Sequence, residues 1–261
     1  MPGVRLTETY STQSHLAALD RRTDEVRQMM ESGGPAQLGG LWHQLDVSAI
    51  YHDCALEGQV VNPMDLNAAL DGMTSADTAT LPLFSSLRSH KRALELVRKL
   101  AASSRTVFSI ELFHRFHTMF TSQPVNGRGL PLRREIPLHR SYFHEIAEPQ
   151  KILSELKRLV SWINDPGEPD EEHPVVLAAG FHSRFMAVFP FVDTSGKVGR
   201  ALMNLLMLRE GYLPAVIHGT ERQRYYESLR QPGPALVELV VESALASAEA
   251  ASRYLREAEP S

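Results

Sequence analysis

The stretch Phe189-Pro-Phe-Val-Asp-Thr-Ser-Gly-Lys-Val-Gly-Arg200 decides how this chain is read. Pro190 fixes its own φ and pushes Phe189 towards an extended backbone, so a helix arriving through His182 and Val188 is expected to stop there. A new helix is expected to open within about six residues. Thr194 and Ser195 are good N-cap residues, Gly196 admits close backbone approach, and Ala201-Leu-Met-Asn-Leu-Leu-Met207 is strongly helix-forming up to Gly211. The free N–H groups and positive dipole end of such a start suit an anion. Lys197 and Arg200 stand one helical turn apart and can both face it, and two cations over bare amides point to a polyphosphate. Asp193, just outside the helix, is placed to hold Mg2+, which takes one or two carboxylates beside phosphate oxygens. The same residue types also fit an ordinary capped helix start with solvated charges.

The stretch resembles the signature of the Fic family, His-Pro-Phe-x-(Asp/Glu)-Gly-Asn-Gly-Arg-x-x-Arg, with phenylalanine where that family keeps its histidine. Five further segments resemble the family in its order and at about its spacings. His173 to Val188 is similar to the helix before the motif, and Leu206 to Pro214 to the segment after it. Glu221 to Leu229 resembles the next helix, whose tyrosines, here Tyr225 and Tyr226, lie near the nucleotide base. Arg133 to Tyr142 falls where the family has a β-hairpin flap that aligns a target peptide, and Tyr51-His-Asp-Cys-Ala-Leu-Glu-Gly58 resembles its inhibitory helix, (Ser/Thr)-x-x-x-Glu-(Gly/Asn).

The resemblance, which covers roughly residues 45 to 250, implies a mainly α fold: a Fic-like helical bundle with a small β-hairpin flap. It divides the chain into an N-terminal helical region, 1–100, with the inhibitory segment near 51–58, and a core, 101–261, with the flap near 130–143 and the motif at 189–200. It assigns Asp193 to metal, Gly196 to the anion nest and Arg200 to the terminal phosphate, with Thr194, Ser195, Lys197 and Gly199 completing the phosphate-binding set. It makes Glu57 a regulatory residue that pairs with Arg200 and blocks the terminal phosphate; in some relatives that glutamate also aligns a water for hydrolytic removal of the modification. ATP or another nucleotide with Mg2+ is the implied cofactor.

Four motif positions depart from the pattern: Phe189, Thr194, Ser195 and Lys197. A phenyl ring accepts no proton, so no residue of the loop is assigned as catalytic. Lysine keeps charge but loses the bidentate fork of arginine. Thr194 places a Cβ where the family has none, which would tilt the nest at positive φ. Asp53 stands where serine or threonine is usual, and its carboxylate would raise the pKa of Glu57 on close approach. The leading expectation is a nucleotide-binding pseudoenzyme or regulator that lacks classical protein adenylylation. The competing ones are an altered nucleotidyl or phosphoryl transferase or hydrolase, and a fold repurposed as an effector or toxin.

Composition sets outer bounds. A chain of 261 residues with a 43% apolar share suits a helical core plus an N-terminal extension. No apolar run reaches the ~18 residues of a membrane span and residues 1–12 lack a signal-peptide core, so a cytoplasmic protein without membrane contact is expected. The net charge of −4 argues against nucleic acid as a partner. The basic cluster Arg128, Arg133, Arg134, His139 and Arg140 lies on the flap, where the expected partner is a target protein met along 133–142 or a ligand phosphate. The lone Cys54 reads as a packed residue, His114 and His117 as packing or capping, and His182 as structural.

Periodicity predicts helices near 14–32, 41–57, 64–72, 85–103, 107–121, 148–164 and 233–258, with a breaker at Ser32-Gly-Gly-Pro35, a loop over 73–84 and an acidic turn-rich loop over 164–172. The stripe Val237, Val240, Ala244, Ala248, Ala251 and Leu255 on the last of these suits packing on the bundle or on a second subunit.

Overall fold

A computed structural model describes residues 10–73, 78–103, 106–121, 131–137, 144–165, 172–231 and 233–258. Ten α-helices run in order among them: α1 Tyr10–Ser32, α2 Pro35–Leu56, α3 Pro63–Leu70, α4 Leu81–Ala101, α5 Ile110–Phe120, α6 Ile152–Asn164, α7 Pro174–Val188, α8 Ser195–Arg209, α9 Arg222–Arg230 and α10 Pro234–Glu257. No described residue is in a strand.

The helix starts follow proline. Pro35, Pro63, Pro82, Pro174 and Pro234 each sit in a first turn, where the missing N–H is no loss and φ is already helical. This explains two boundary errors. The Gly33-Gly34-Pro35 break ends α1 but also begins α2, about six residues before the expected start, and Leu81-Pro82 opens α4 inside the stretch predicted to be loop. At the other end of α2, Gly58 adopts φ 78, a left-handed conformation that costs glycine little, and the turn brings the Gln59 N–H onto the Cys54 carbonyl at 2.8 Å.

α7 and α8 form the centre of the bundle. α8 is buried from Ser195 through Leu205, on all sides, because α4, α5 and α7 pack around it. A ladder of rings, Phe108, Phe113, Phe181 and Phe185, meets edge-to-face between α5 and α7 with centroids 5.3 to 6.4 Å apart. Burying each such ring stabilises the fold by about 1.5–3 kcal/mol. Asn164, at the end of α6, both donates to the Phe108 carbonyl and accepts from its N–H, pinning the segment that leads into α5. The stripe of α10 is spent inside the chain: Val237, Val240 and Ala244 enter the main core, while Ala248, Ala251 and Leu255 pack with Val26, Leu41 and Leu45 of α1 and α2. Cys54 is buried, and that burial pushes its thiol pKa up.

The hairpin expected over 130–143 is not seen. Residues 131–137 run without strand pairing, and 130 and 138–143 lie outside the described residues. Within 131–137 the Arg133 backbone N–H donates to the Pro190 carbonyl at 2.9 Å, and its buried guanidinium is bound to other carbonyls of the core. These described residues are anchored to the loop after α7. Arg133 is therefore not available to an acidic peptide; Arg134 is exposed, and Arg128, His139 and Arg140 lie outside the described residues.

Candidate functional site

The loop between α7 and α8 closes back on itself through one hydroxyl. Ser195 Oγ accepts from the Phe191 N–H at 2.8 Å and donates to the Phe191 carbonyl at 2.7 Å. Ser195 therefore braces the loop instead of capping the helix. Thr194 is the N-cap residue but makes no side-chain cap bond, and its hydroxyl pairs with Nδ1 of His117 on α5 at 2.6 Å. Its φ is −125, so the Cβ that threonine brings meets no left-handed strain. Val192 and Asp193 are the exposed tip of the turn, from which the Asp193 carboxylate can reach a cation.

The first turn of α8 faces α2. A Cβ built on Gly196 would stand 2.1 Å from Oε1 of Glu57, so glycine is required because a carboxylate already lies over the helix start. The Glu57 carboxylate thus lies over the first turn of α8 and on the Arg200 guanidinium. Gly199, one turn on, faces α7, where a Cβ would stand 3.0 Å from both His182 and Phe185. Lys197 is buried and donates to Oε1 of Gln59 at 3.1 Å.

Arg200 is the charged centre. Its side chain is 3% exposed, and each nitrogen is engaged: Nε donates to Oδ1 of Asp53 at 2.5 Å, Nη2 to Oε1 of Glu57 at 3.0 Å and Nη1 to the Tyr225 hydroxyl at 3.3 Å. Burial alone would lower the Arg200 pKa, but Asp53, the Tyr225 oxygen and Glu57 raise it well above its ordinary value. Asp53 bridges onward, its Oδ2 accepting from Nε2 of His90 at 3.0 Å. Burial works to raise the Asp53 pKa, yet Arg200 and His90 outweigh it and hold the carboxyl below the usual range. Asp53 thus does not spend its charge against Glu57; both carboxylates, one helical turn apart, are drawn to one guanidinium. Like charges at that spacing cost about 0.2–0.5 kcal/mol on an isolated helix, and the shared cation offsets this.

Tyr225 and Tyr226 are buried on the same side. The Tyr225 hydroxyl accepts from Arg200 and pairs at 2.8 Å with Nε2 of His182, while Tyr226 donates to the Leu56 carbonyl at 3.2 Å. Arg222 donates to that same carbonyl at 2.9 Å. The last turn of α2 is thus gripped from α8 and α9 together. Burial, reinforced by Arg200, lowers the His182 pKa to about 3.

Phe189 ends α7 at φ 46 and ψ 64, the left-handed region, where the sequence led us to expect an extended residue. It is the only non-glycine residue with positive φ among those described. Its N–H closes on the Phe185 carbonyl at 2.9 Å, and its own carbonyl accepts from Nε of Arg133 at 2.7 Å, so both ends of the residue are fixed. The ring is fully buried, 6.1 Å from that of His144.

Four side chains at or beside this site have roles that the sequence did not show: Gln59, His90, Arg133 and His117. The first two carry no local signal because each acts across a long stretch of chain. Arg133 was read as a flap charge and His117 as packing. His117 stacks on Phe191 with centroids 4.2 Å apart and bonds Thr194, and partial burial with His114 nearby lowers its pKa to about 4, so the ring is neutral at pH 7.

Residues 107–207 match a family model described as "Fic/DOC family". Similar curated proteins include the protein adenylyltransferase Fic of Drosophila grimshawi, 25% identical over 220 residues that are 82% of this chain and 43% of that protein. The Drosophila erecta counterpart is 26% identical over 223 residues, 84% and 43% of the two chains. The chain therefore spans less than half the length of the curated relatives it matches. Among solved structures, a Fic domain containing signaling protein from Bacteroides thetaiotaomicron superposes with a TM-score of 0.78 at 19% identity, covering 93% of this chain and 97% of that one. Fic-1 from C. elegans superposes at 0.76 and 22% identity, over 94% and 71%. At these identities the two structures speak for the fold.

Proposed function

For a chain that carries a Fic domain, we propose nucleotide binding at the start of α8 in a protein held closed by α2, without the histidine-dependent transfer of an adenylyl group. The observation that carries this reading is the seating of the Glu57 carboxylate on Arg200 and over Gly196, where an oxyanion is stabilised by the helix start. A nucleotide phosphate offers the same chemistry to the same groups. Gly196, Lys197 and Arg200 would hold its phosphates and Asp193 its Mg2+, a single carboxylate being enough for an ion that keeps most of its water. The bound Mg2+–nucleotide would supply an electrophilic phosphorus and a leaving group. The residues of this chain would bind and orient it, and the position that the motif resemblance gives to the base carries a buried phenyl ring.

A second reading, altered transfer chemistry, is favoured by His117. Its neutral ring is bonded to the Thr194 hydroxyl in the loop itself, which is the arrangement that activates a hydroxyl or relays its proton. A target protein, met along 133–142, belongs to this reading.

Calorimetry with Mg2+ and ATP, ADP or GTP tests the first reading. Binding that weakens in Lys197→Ala and Asp193→Ala supports it, and no heat with any nucleotide at millimolar concentration overturns it. Label transfer from ATP to a lysate separates the second: none is expected from the wild type or from Glu57→Gly, whereas transfer that His117→Ala abolishes would install the altered chemistry in its place.

A further inference from the structure

A guanidinium presents two edges to a forked anion, and in Arg200 the Nε–Nη2 edge is divided between two carboxylates. Asp53 takes Nε, Glu57 takes Nη2, and Tyr225 occupies Nη1. We propose that Asp53 is a second clamp on Arg200, independent of Glu57, and that it sets the ligand preference of this site to nucleoside diphosphates over triphosphates. The preference rests on the nucleotide-binding reading above; the clamp itself does not.

Three observations support it. Asp53 cannot swing away as a surface side chain could: its carboxylate is 14% exposed and its second oxygen is held by His90, itself buried on α4. Removing Glu57 therefore releases one nitrogen of the edge and leaves the other bound, so the fork that a terminal phosphate needs is not restored. The charges agree. Asp53 and Glu57 together cancel Lys197 and Arg200, and even without Glu57 the corner keeps a single net positive charge. A diphosphate, carrying less negative charge, can be held by the α8 amides and by Lys197, whose partner Gln59 is neutral, without drawing on Arg200 at all. A triphosphate needs Arg200 for its last group, and there it meets the Asp53 carboxylate.

The test uses the full chain as wild type, Glu57→Gly, Asp53→Asn and the double variant, with two readouts. NMR of 15N-arginine-labelled protein, with the Arg200 Nε–H assigned through Arg200→Lys, reads the clamp without any ligand. The resonance should stay displaced and slow to exchange in Glu57→Gly and move towards free arginine in Asp53→Asn. Calorimetry with Mg2+ and ADP or ATP reads the preference. ADP should bind at least tenfold tighter than ATP in the wild type, keep that lead in Glu57→Gly and lose it in the double variant.

Collapse of the Nε–H signal in Glu57→Gly, or ATP rising to the affinity of ADP in that single variant, overturns the second clamp. Silence towards both nucleotides in all four proteins overturns nucleotide binding and the diphosphate preference with it, while the resonance still decides the clamp. Should Asp53→Asn not fold, Asp53→Ser replaces it, and the Glu57→Gly spectrum alone remains decisive.

Discussion

Nε of Arg133 donates to the carbonyl of Phe189 at 2.7 Å, and the same guanidinium also reaches the carbonyls of Val188, Ala147 and Glu135. One side chain thus satisfies the end of α7, the segment before α6 and the segment on which Arg133 itself lies. Replacing it leaves buried carbonyls without donors, each costing about 1–3 kcal/mol. Arg133→Ala is expected to lower stability by about 3 kcal/mol or more in urea unfolding, with Arg133→Lys recovering only a fraction because one ammonium cannot span four acceptors. A loss below about 1 kcal/mol would show that the loop holds its left-handed turn without this tether.

Gly196→Ala is expected to open the closed state. Its Cβ cannot coexist with the Glu57 carboxylate at 2.1 Å, so Glu57 must leave Arg200 or the helix start must shift. Breaking one member of a buried charge cluster costs about 3–5 kcal/mol when the partner stays uncompensated. Asp53 remains on Arg200, so the loss should fall at about 1–2 kcal/mol. Urea unfolding gives the number, and a structure of the variant shows whether Glu57 has moved.

Phe189→His alone is expected to yield no label transfer from ATP. The new ring would enter a fully buried site beside His144, and Arg200 would still be held by Asp53 and Glu57. Transfer should require Thr194→Gly, Ser195→Asn and Lys197→Arg as well, with Glu57→Gly and Asp53→Asn together to free Arg200. Ser195→Asn carries its own cost, because it removes the hydroxyl that bridges both backbone groups of Phe191. A single Phe189→His variant with robust transfer would refute the closed state.

Acid should destabilise the protein well before ordinary carboxylates titrate. His182 is lowered to about 3 and His52 to about 4, in both cases chiefly by burial. The folded state therefore binds fewer protons than the unfolded state between these values and about 6.5, and stability falls as pH drops through that window. Asp53, whose pKa is also depressed, adds a further loss below about pH 4. The urea midpoint is expected to decline steadily from pH 7 to pH 4, with His182→Gln flattening the slope by about one proton, or about 1.4 kcal/mol per pH unit. A midpoint flat across that window would mean that these rings protonate freely in the folded protein.

The helical bundle was legible in the sequence because its signals are local. The run from Thr194 to Gly211 carries its own start, face and stop, and α8 follows it nearly residue for residue. Glu57 and Arg200 could be paired only through the motif resemblance, and their geometry agrees with it. Asp53 joins His90 across 37 residues and Arg200 across 147, and neither partner is marked by any spacing that a helix or turn imposes. Thr194 was read as a cap because its type favours one, but a neighbouring helix offered its hydroxyl a better partner in His117. The hairpin was expected from the motif resemblance alone, and in the described part of it, 131–137, Arg133 bonds to the loop after α7.

Asp53 and Glu57 are carried by the same turn at the end of α2, and that turn is itself held by Tyr226 and Arg222 through the Leu56 carbonyl. Side chains that hold separately can let go separately, within picoseconds to nanoseconds. Asp53 is tied to His90 as well as to Arg200, so clearing both carboxylates from the guanidinium at once calls for the helix end itself to slide or unwind, a motion of microseconds to milliseconds. Access to Arg200 is then governed by a rare event of the backbone, and a ligand that needs this residue waits for it however fast it diffuses to the surface.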